Sequence, residues 1–560
     1  MDRVDIFQKQ IYKKYKRFKI KQKKLTFKQI CYPSKFTFQL PQLFVSNYMD
    51  LSTKNKGLLL YHKIGAGKTC AAVKIAENFK GKRNIIMTCP ASLVGNFYKE
   101  IRSECTSNEY MNESIRNKLK SLDVQSREYK TLINSINDKI DQNYQIYSYN
   151  KIADLLFNRK LRLDNSLLVI DEVQNIVSEH GSYYRILLGA IMKASNLRIV
   201  IMSATPIFDK PMELGLTLNM ITSDNSLFEI GNKFNEKYID YKIIDNLPIY
   251  SIKNTQQLRL KLNGLVSYFS GAPSYVFPER RQKIIKCPMS RYQYDSYKIV
   301  QRKEGKINKL DLLKLPNNFF IGSRIISNIA FPNKLVNKAG LNALTRRLMD
   351  MDNLQTYSTK YYEIMKRILK STGTIFVYSN FREYGGLMSF IKILEHYQFK
   401  NFLNNGKGRN RYAVWSGDET MEQKEKLKEV FNSKANHNGS QIKIILGSPA
   451  IKEGVSLLRV RHVHIIEPYW NMSRLEQVIG RAIRFCSHKD VEIEKRYVKV
   501  YIYIATIPEE LAAKERRDNI DPTITVDEHI YNMAIAKQNL NAQFEQVIQD
   551  AAIDYKLFQE

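Results

Sequence analysis

Short hydrophobic runs recur along the first part of the chain, and each ends in a polar or glycine-containing loop. They span Leu58–His62, Asn84–Cys89, Leu167–Ile170 and Arg198–Met202. Continuous apolar runs of this length are typical of strands in a parallel sheet covered on both faces. Stretches with helical spacing lie between them, so the pattern predicts an α/β domain.

A second series of hydrophobic runs follows after a long mixed stretch. Its members are Thr374–Tyr378, Ala413–Trp415, Ile442–Leu446, Val463–Ile466 and Val498–Ile504. The chain of 560 residues is too long for one compact core. The two series therefore predict two α/β domains with parallel sheets flanked by helices.

Other stretches read as helical or mixed. The polar, charged residues 105–142 look like a helical insertion in the first domain. The mixed stretch contains an aromatic-rich portion, Tyr268 to Phe277. Near the end, apolar residues recur at helical spacing. These are Ile530, Met533, Ala534, Leu540, Phe544, Val547, Ile548 and Ile553.

The chain is strongly basic, with 88 Lys and Arg against 55 Asp and Glu, a formal charge of +33. Such an excess favours a polyanionic partner, because neutralised phosphates release condensed counterions. A genome with biased base composition would also raise the lysine content, so charge alone does not decide. A lysine-dense run near the start is either a nucleic-acid arm or a solvated basic face. It comprises Lys13, Lys14, Lys16, Arg17, Lys19, Lys21, Lys23 and Lys24.

The cysteines and the apolar content bear on the compartment. Cys31, Cys70, Cys89, Cys105, Cys287 and Cys486 never occur as Cys-x-x-Cys. Without metal-ligand spacing or a secretory leader, we expect reduced thiols in a cytosol-like compartment. No apolar run reaches the roughly 18 residues of a membrane span, which predicts a soluble, intracellular protein without a membrane partner.

The sequence from Leu58 to Thr69 is a strand followed by a glycine loop and the start of an apolar helix. Gly65, Ala66 and Gly67 would let backbone N–H groups surround a triphosphate at the helix N-terminus. Lys68 would reach the β- and γ-phosphates of ATP, and the Thr69 hydroxyl would bind Mg²⁺. The strict pattern begins with glycine where this chain has His62. We expect His62 to be a loop residue rather than a catalyst.

Two acids follow the buried run that ends at Ile170. Asp171 is placed to hold Mg²⁺ through water, and Glu172 to polarise the attacking water. A solvated turn would explain such a pair alone, but not after a phosphate loop in the same sheet. Roughly thirty residues later, Ser203, Ala204 and Thr205 form a small turn that can sense the γ-phosphate and pass its presence to neighbouring loops.

Positive charge opposite the γ-phosphate is the remaining requirement for hydrolysis. The segment from Ser473 to Arg484 provides it, with Gln477, Arg481 and Arg484 spaced so that one helix face would present them. Solvated arginines are the alternative, which the apolar neighbours and Gly480 argue against. Upstream, the strand-to-loop segment from Leu446 to Ser456 carries small and hydroxyl residues suited to phosphate and ribose.

Taken in order, these motifs resemble those of superfamily 2 helicases. Cys89-Pro-Ala-Ser-Leu-Val-Gly-Asn-Phe and Glu467-Pro-Tyr-Trp-Asn are similar to the Snf2-like branch, whose members often translocate on DNA without separating strands. Three further blocks, Ser323 to Pro332, Trp470 to His488 and Val526-Asp-Glu-His-Ile-Tyr-Asn, resemble proteins of poxviruses and giant cytoplasmic DNA viruses. Those proteins are nucleoside triphosphate phosphohydrolase I and the small subunit of the early transcription factor. A related group is found on cytoplasmic linear plasmids of yeasts.

The resemblance implies a DNA-dependent ATPase of viral transcription, in the virion or in cytoplasmic factories of the host. It implies further contacts: Gln42 with adenine (Gln39 could substitute), Ser456 with ribose, and Ser92 and Ser448 with the nucleic-acid backbone. A virus-encoded RNA polymerase or the larger early transcription factor subunit is the implied protein partner. Gln174 stands where the family often has histidine, which leaves the choice between DNA and RNA open.

The resemblance also gives the domains. We expect a basic arm at 1–39, a RecA-like ATP-binding domain at 40–210, a mixed linking segment at 211–370, a RecA-like helicase C-terminal domain at 371–510 and a helical tail at 511–560. Hydrolysis of ATP with Mg²⁺ would require closure, because the second domain supplies the arginines. Two alternatives remain: an RNA helicase that unwinds transcripts, and a non-catalytic DNA-binding subunit that keeps the fold as a scaffold.

Overall fold

The chain folds into two compact units. A computed structural model describes residues 2–20, 25–63, 65–123, 126–222, 227–244, 247–305, 319–452, 455–517 and 524–558. Three residues of the basic run (Lys21, Lys23 and Lys24) lie outside these ranges, as do Ile64, Glu453 and Gly454 of the motifs and parts of the insertion and tail. The first unit comprises Met1–Pro273 and Asn539–Glu560, and the second Ser274–Gln538.

A six-stranded parallel sheet forms the centre of the first unit. Its strands run in the order β3-β2-β4-β5-β1-β8, so the carboxyl ends of all six meet at one edge. The antiparallel pair β6-β7 stands apart from it. The strands are β1 Gly57–His62, β2 Asn84–Cys89, β3 Tyr144–Ser148, β4 Ser166–Asp171, β5 Arg198–Ser203, β6 Ile239–Ile244, β7 Leu247–Ile252 and β8 Val266–Phe269.

Helices cover this sheet. They are α1 Arg3–Tyr15, α2 Phe27–Cys31, α3 Leu40–Tyr48, α4 Lys68–Glu77, α5 Val94–Ile101, α6 Glu113–Ser121, α7 Arg127–Asp141, α8 Tyr149–Phe157, α9 Ser182–Lys193, α10 Glu213–Asn219, α11 Gly231–Tyr238 and α12 Thr255–Lys261. Every residue of β1, β4 and β5 is buried. Burial on both faces explains why these strands are apolar without alternation.

The second unit has its own parallel sheet, in the order β11-β12-β13-β10-β14-β15-β9. Its strands are β9 Glu279–Pro288, β10 Thr374–Tyr378, β11 Lys400–Asn401, β12 Arg411–Trp415, β13 Ile444–Gly447, β14 Val460–Ile465 and β15 Tyr497–Thr506. Its helices begin with α13 Arg291–Glu304, α14 Ile321–Asn328, α15 Lys338–Ala343, α16 Arg346–Met349, α17 Met351–Tyr357, α18 Thr359–Lys370 and α19 Leu387–His396. The remaining helices are α20 Phe402–Asn405, α21 Met421–Phe431, α22 Met472–Ile479, α23 Glu509–Arg517, α24 Val526–Ala551 and α25 Tyr555–Phe558, of which the end of α24 and α25 fall in the first unit.

The two predicted parallel sheets are confirmed, and the structure adds strands that the hydrophobic pattern did not indicate. β3 and β8 extend the first sheet, and β9 is the edge strand of the second. β9 is mostly exposed and carries Glu279, Arg280 and Arg281 at its start. A strand of that composition gives no apolar signal, because only its edge pairing with β15 makes it a strand.

The compact units divide the chain differently from the expected segments. Residues 211–273 of the expected linking segment belong to the first unit, with β8 in its sheet, and 274–370 belong to the second. The expected helical tail is split in the same way. At the start of the chain, α1 packs into the hydrophobic core of the first unit through Ile11 and Tyr15. The described part of the expected basic arm is therefore an integral part of that unit.

The expectation that all six cysteines are reduced is wrong. Cys70 in α4 and Cys105 form a disulfide, with their Cα atoms 5.6 Å apart. Their separation of 35 residues gave no signal, because only the packing of α4 against the turn at Glu104–Thr106 brings the sulfurs together. Cys89 and Cys287 are buried.

Among the described residues, none of the helices has the length and apolar character needed to cross a membrane.

Candidate active site

The phosphate loop joins β1 to α4 at the carboxyl edge of the first sheet. Gly67 is the N-cap of α4 with φ +65°, a left-handed conformation that favours glycine. The Lys68 ammonium donates a hydrogen bond to the carbonyl oxygen of His62 at 2.8 Å. Ala66 is buried, whereas Gly65 and Thr69 are half-buried beside it. The start of α4 thus combines backbone N–H groups with the Lys68 ammonium and the Thr69 hydroxyl. This combination of groups suits the binding of a triphosphate.

Gln42 packs against this loop. Its side-chain amide donates to the Gly67 carbonyl at 3.1 Å and accepts from the Gln39 backbone N–H at 2.8 Å. A Cβ atom at Gly67 would clash with the Gln42 amide nitrogen, so a larger residue there would displace the Gln42 side chain as well as strain the left-handed backbone. The Gln39 side chain is exposed. The predicted adenine contact stays a prediction, but Gln42 is a neighbour of the loop.

The two predicted acids lie at the carboxyl end of β4, and β5 separates that strand from β1. Asp171 ends β4, and Glu172 has φ +54°. Burial and the neighbouring Glu172 charge raise the pKa of Asp171 to about 7, while the Lys68 charge opposes the rise. A buried acid with a raised pKa beside a second acid is a site that a divalent cation would stabilise. Hydroxyl and carboxylate oxygens are the ligands that Mg²⁺ prefers, so Thr69 and Asp171 fit it.

Gln174 connects the acids to the predicted coupling turn. Its side chain donates to the Glu172 carboxylate and accepts from the Ser203 hydroxyl at 2.8 Å. The Ser203 hydroxyl in turn accepts from the Thr205 backbone N–H at 3.0 Å, with Ala204 between them. These bonds form a continuous path from the candidate water-polarising acid to the turn after β5.

In the second unit, the predicted helix face does not form. α22 ends at Ile479, so it carries Gln477 but neither Arg481 nor Arg484. Gly480 caps the helix, and the chain turns there. The two guanidinium groups instead converge on the Val455 carbonyl, at 3.4 Å and 3.5 Å. The structure therefore brings the arginines together by a turn and not by helical spacing.

The serines expected at ribose and nucleic acid occupy different surroundings. Ser456 follows Val455, and its carbonyl accepts from the Asn432 side chain at 2.7 Å. Ser448 is buried directly after β13, and Ser92 is exposed in the turn at Ala91–Leu93. Ser456 is thus a chain neighbour of the carbonyl that receives both arginines, whereas the contacts of Ser92 and Ser448 with nucleic acid stay predictions.

Three sequence blocks singled out for family resemblance, two of them viral and one Snf2-like, contribute residues to a buried polar cluster of the second unit. Lys360 donates to Asp527 at 2.5 Å and to Asn328 at 2.9 Å. Asn328 donates to Glu467 at 3.1 Å, and burial raises the pKa of Glu467. Sequence reasoning assigned these blocks to a family but gave them no contact. The structure makes them one network inside the domain.

Sequence reasoning also missed residues beside the first site. The Tyr149 hydroxyl donates to the Asp171 carbonyl, and His62 is not a loop residue but the buried end of β1. His62 contacts Ser267, and Ser267 contacts Asp554. No motif marks Tyr149, Ser267 or Asp554. Their positions depend on β3, β8 and the C-terminal segment, which the sequence pattern did not place.

A glycine loop between a central strand and a helix, with paired acids at the end of another strand of the same sheet, defines the first unit as a P-loop nucleotide-binding domain. Comparison with known proteins gives the family. Residues 41–341 match the SNF2-related domain and residues 360–486 the helicase conserved C-terminal domain. The chain belongs to the SNF2-related helicases of superfamily 2 and is a nucleic-acid-dependent ATP hydrolase with two RecA-like domains.

Similar proteins come from large DNA viruses. A protein of Acanthamoeba polyphaga mimivirus, provisionally named an ATP-dependent RNA helicase, is 48% identical over 97% of this chain and 94% of its own length. An African swine fever virus protein named a termination factor NPH-I homolog is 26% identical over 89% of this chain and 76% of its own. A solved Sulfolobus solfataricus SWI2/SNF2 ATPase core in complex with dsDNA covers 92% of this chain and 96% of its own, at 15% identity and a TM-score of 0.32.

Proposed function

We propose that the protein is a DNA-stimulated, Mg²⁺-dependent ATPase that moves along nucleic acid. The observation that carries the proposal is the convergence of the phosphate loop, Asp171 and Glu172 at one edge of the first sheet. Lys68 would leave the His62 carbonyl to bind the β- and γ-phosphates of ATP. Mg²⁺, held by Thr69 and Asp171, would offset charge on those phosphates.

The chain's own side chains would then orient the attacking water. Glu172 is the candidate to hold it, and Gln174 fixes the position of that carboxylate. Arg481 and Arg484 are proposed to stabilise the charge that develops on the γ-phosphate. Replacing either arginine by alanine should therefore slow hydrolysis while leaving the affinity for ATP nearly unchanged.

We further propose that the motor serves viral transcription, in the virion or in host cytoplasmic factories, beside a virus-encoded RNA polymerase or a larger transcription factor subunit. The African swine fever virus relative named a termination factor supports this role. A pull-down from infected cells with the tagged protein should recover transcription subunits. Recovery of none would count against the partnership.

RNA unwinding is a second candidate function. Two mimivirus relatives, 48% and 27% identical, carry the name of an ATP-dependent RNA helicase. Strand displacement measured on matched RNA and DNA duplexes separates the candidates: robust unwinding of RNA would favour the second.

The test of the ATPase proposal is the rate of phosphate release with single-stranded DNA, duplex DNA and RNA in parallel. Stimulation by DNA should be lost in Lys68→Ala, because the lysine contacts the transferred phosphoryl group. Lys80→Ala is a matched control, because Lys80 follows the same helix and pairs with Glu77 and Glu109 away from the loop. If Lys68→Ala left DNA-stimulated phosphate release unchanged, the ATPase proposal would be wrong.

A further inference from the structure

A buried chain of hydrogen bonds runs from the C-terminal segment to the start of the phosphate loop, all within the first unit. His62 ends β1, and its Nε2 lies 2.8 Å from the hydroxyl of Ser267 on the adjacent strand β8. The Ser267 hydroxyl contacts one carboxylate oxygen of Asp554. The other oxygen accepts from the Tyr268 backbone N–H at 2.9 Å.

None of the three side chains is reached by solvent. His62, Ser267 and Asp554 each have an exposed fraction of 0%. Burial raises the pKa of Asp554 to about 7, although Ser267 and Tyr268 oppose the rise. Burial and the Lys68 charge lower the pKa of His62 to about 3, so the imidazole is neutral at physiological pH. A buried carboxyl in a domain core is costly unless it is hydrogen-bonded, and here Ser267 and Tyr268 of β8 supply the hydrogen bonds.

The bonds have a direction that follows from chemistry. With the Asp554 carboxylate accepting, the Ser267 hydroxyl donates to it and is left to accept from His62. In this ionised state of Asp554, the neutral imidazole carries its proton on Nε2. Its Nδ1 has no hydrogen-bond partner in the part of the chain that the structure describes, which agrees with this tautomer.

The backbone of the same histidine holds the catalytic lysine. The His62 carbonyl accepts from Lys68 at 2.8 Å, so the side chain is anchored on β8 while the carbonyl seats the ammonium. The next residue is held in the same way. The Lys63 backbone N–H donates to the Phe269 carbonyl at 2.9 Å, and its ammonium pairs with Glu545 of α24 at 3.1 Å.

We propose that Asp554 is a positioning residue for ATP binding, acting through Ser267 and His62 to fix the end of β1 and the carbonyl that seats Lys68. The inference rests on the proposed ATPase function and adds that the C-terminal segment is part of the nucleotide site's support. Residues on both sides of Asp554 keep the segment in place. The Ile553 backbone N–H donates to Val266 on β8 at 2.9 Å, and Leu557 is buried in the first core.

The experiment compares Asp554→Asn and Ser267→Ala with the full-length natural protein. Asparagine keeps the shape but replaces an acceptor by a donor, and alanine removes only a hydroxyl. Binding of the fluorescent nucleotide mant-ATP with Mg²⁺ is measured directly, and kcat and KM for ATP are measured with DNA. Both variants should raise Kd and KM about fivefold, the effect of one lost hydrogen bond, with kcat within about twofold.

The control is Asp550→Asn, an acid on the same segment whose carboxylate accepts from exposed Gln546 at 2.9 Å. It should bind mant-ATP as the natural protein does. Asp554 and Ser267 act through the same chain of hydrogen bonds. The double variant of Ser267→Ala and Asp554→Asn should therefore raise the Kd for mant-ATP by the same factor as either single variant, and not by the product of the two factors.

A purely structural role predicts another outcome. Ser267→Ala and Asp554→Asn would then lower the melting temperature while mant-ATP bound with unchanged Kd, and that result would overturn the proposal. Failure of the ATPase proposal looks different. The natural protein would then bind mant-ATP without releasing phosphate, and the comparison of Kd values would still decide the role of Asp554.

Discussion

The side chain of Gln174 joins Glu172, the residue after β4, to Ser203 at the end of β5. Its amide donates to Glu172 with one end and accepts from Ser203 with the other. An amide suits both contacts, because it offers a donor and an acceptor on one rigid plane. Gln174, which stands where the resemblance led us to expect histidine, thus still bridges the carboxylate and the hydroxyl.

We predict that Gln174→Ala uncouples nucleic-acid binding from hydrolysis. Without the bridge, Glu172 and Ser203 lose their common partner, so DNA-stimulated kcat should fall about tenfold, within the usual range of coupling energies. The Kd for mant-ATP should change little, because the side-chain hydrogen bonds of Gln174 within the described ranges go to Glu172 and Ser203 and not to the phosphate loop.

Two controls accompany this variant in the same phosphate-release assay. Gln174→His should retain most of the activity, because histidine can also bridge a carboxylate and a hydroxyl. Asn158→Ala should have no effect, since the side chain of exposed Asn158 donates to Asp154 of its own turn, away from the acids. Full DNA stimulation in Gln174→Ala would show that the bridge is not used.

At the scale of elements, α18 and α24 are locked together by a buried ion pair. Lys360 and Asp527 have exposed side-chain fractions of 0% and 1%. The Asp527 carboxylate also accepts from Ala505 of β15 at 2.9 Å, so it joins a strand to both helices. A buried charge that loses its partner is strongly destabilising, so we expect the position of the first turn of α24 to depend on this ion pair.

We predict that Asp527→Ala destabilises the second unit by roughly 3–5 kcal/mol, because it leaves the Lys360 charge buried and unpaired. Both tryptophans of the chain, Trp415 and Trp470, lie in this unit, so tryptophan fluorescence during urea denaturation reports on it. Lys366→Ala, on the same helix with its side chain 46% exposed, is the control and should change the unfolding free energy little. Equal urea midpoints of unfolding for Asp527→Ala and Lys366→Ala would contradict the prediction.

At the scale of the whole molecule, charge is the dominant property. The formal net charge of +33 sets a field that attracts phosphate backbones regardless of base sequence. We predict that the DNA concentration giving half-maximal ATPase stimulation rises at least tenfold, on the order expected for a few phosphate contacts, between about 50 and 200 mM salt. Mant-ATP binding without DNA should depend much less on salt. A stimulation constant that did not change with salt would mean that backbone charge does not govern DNA binding.

Much of the fold was predictable because short, continuous stretches of sequence encode buried parallel strands and glycine loops. The strands ending at His62, Cys89, Ile170 and Met202 could be predicted without tertiary information. A strand buried on both faces is a continuous apolar run, and such a run is visible in the sequence of the strand itself. The phosphate loop is equally local, because its conformation depends on Gly67 and the first turn of α4. The sequence by itself therefore determined the two sheets, the position of Lys68 and the acids after β4.

Tertiary structure alone decided what joins those parts. Strand β9 exists only through its pairing with β15, and the arginines near position 480 meet by a turn at the Val455 carbonyl. The contact of Asp554 with Ser267 spans 287 residues, and Cys70 meets Cys105 across 35. Such contacts depend on how separate elements pack, so no local periodicity or spacing encodes them.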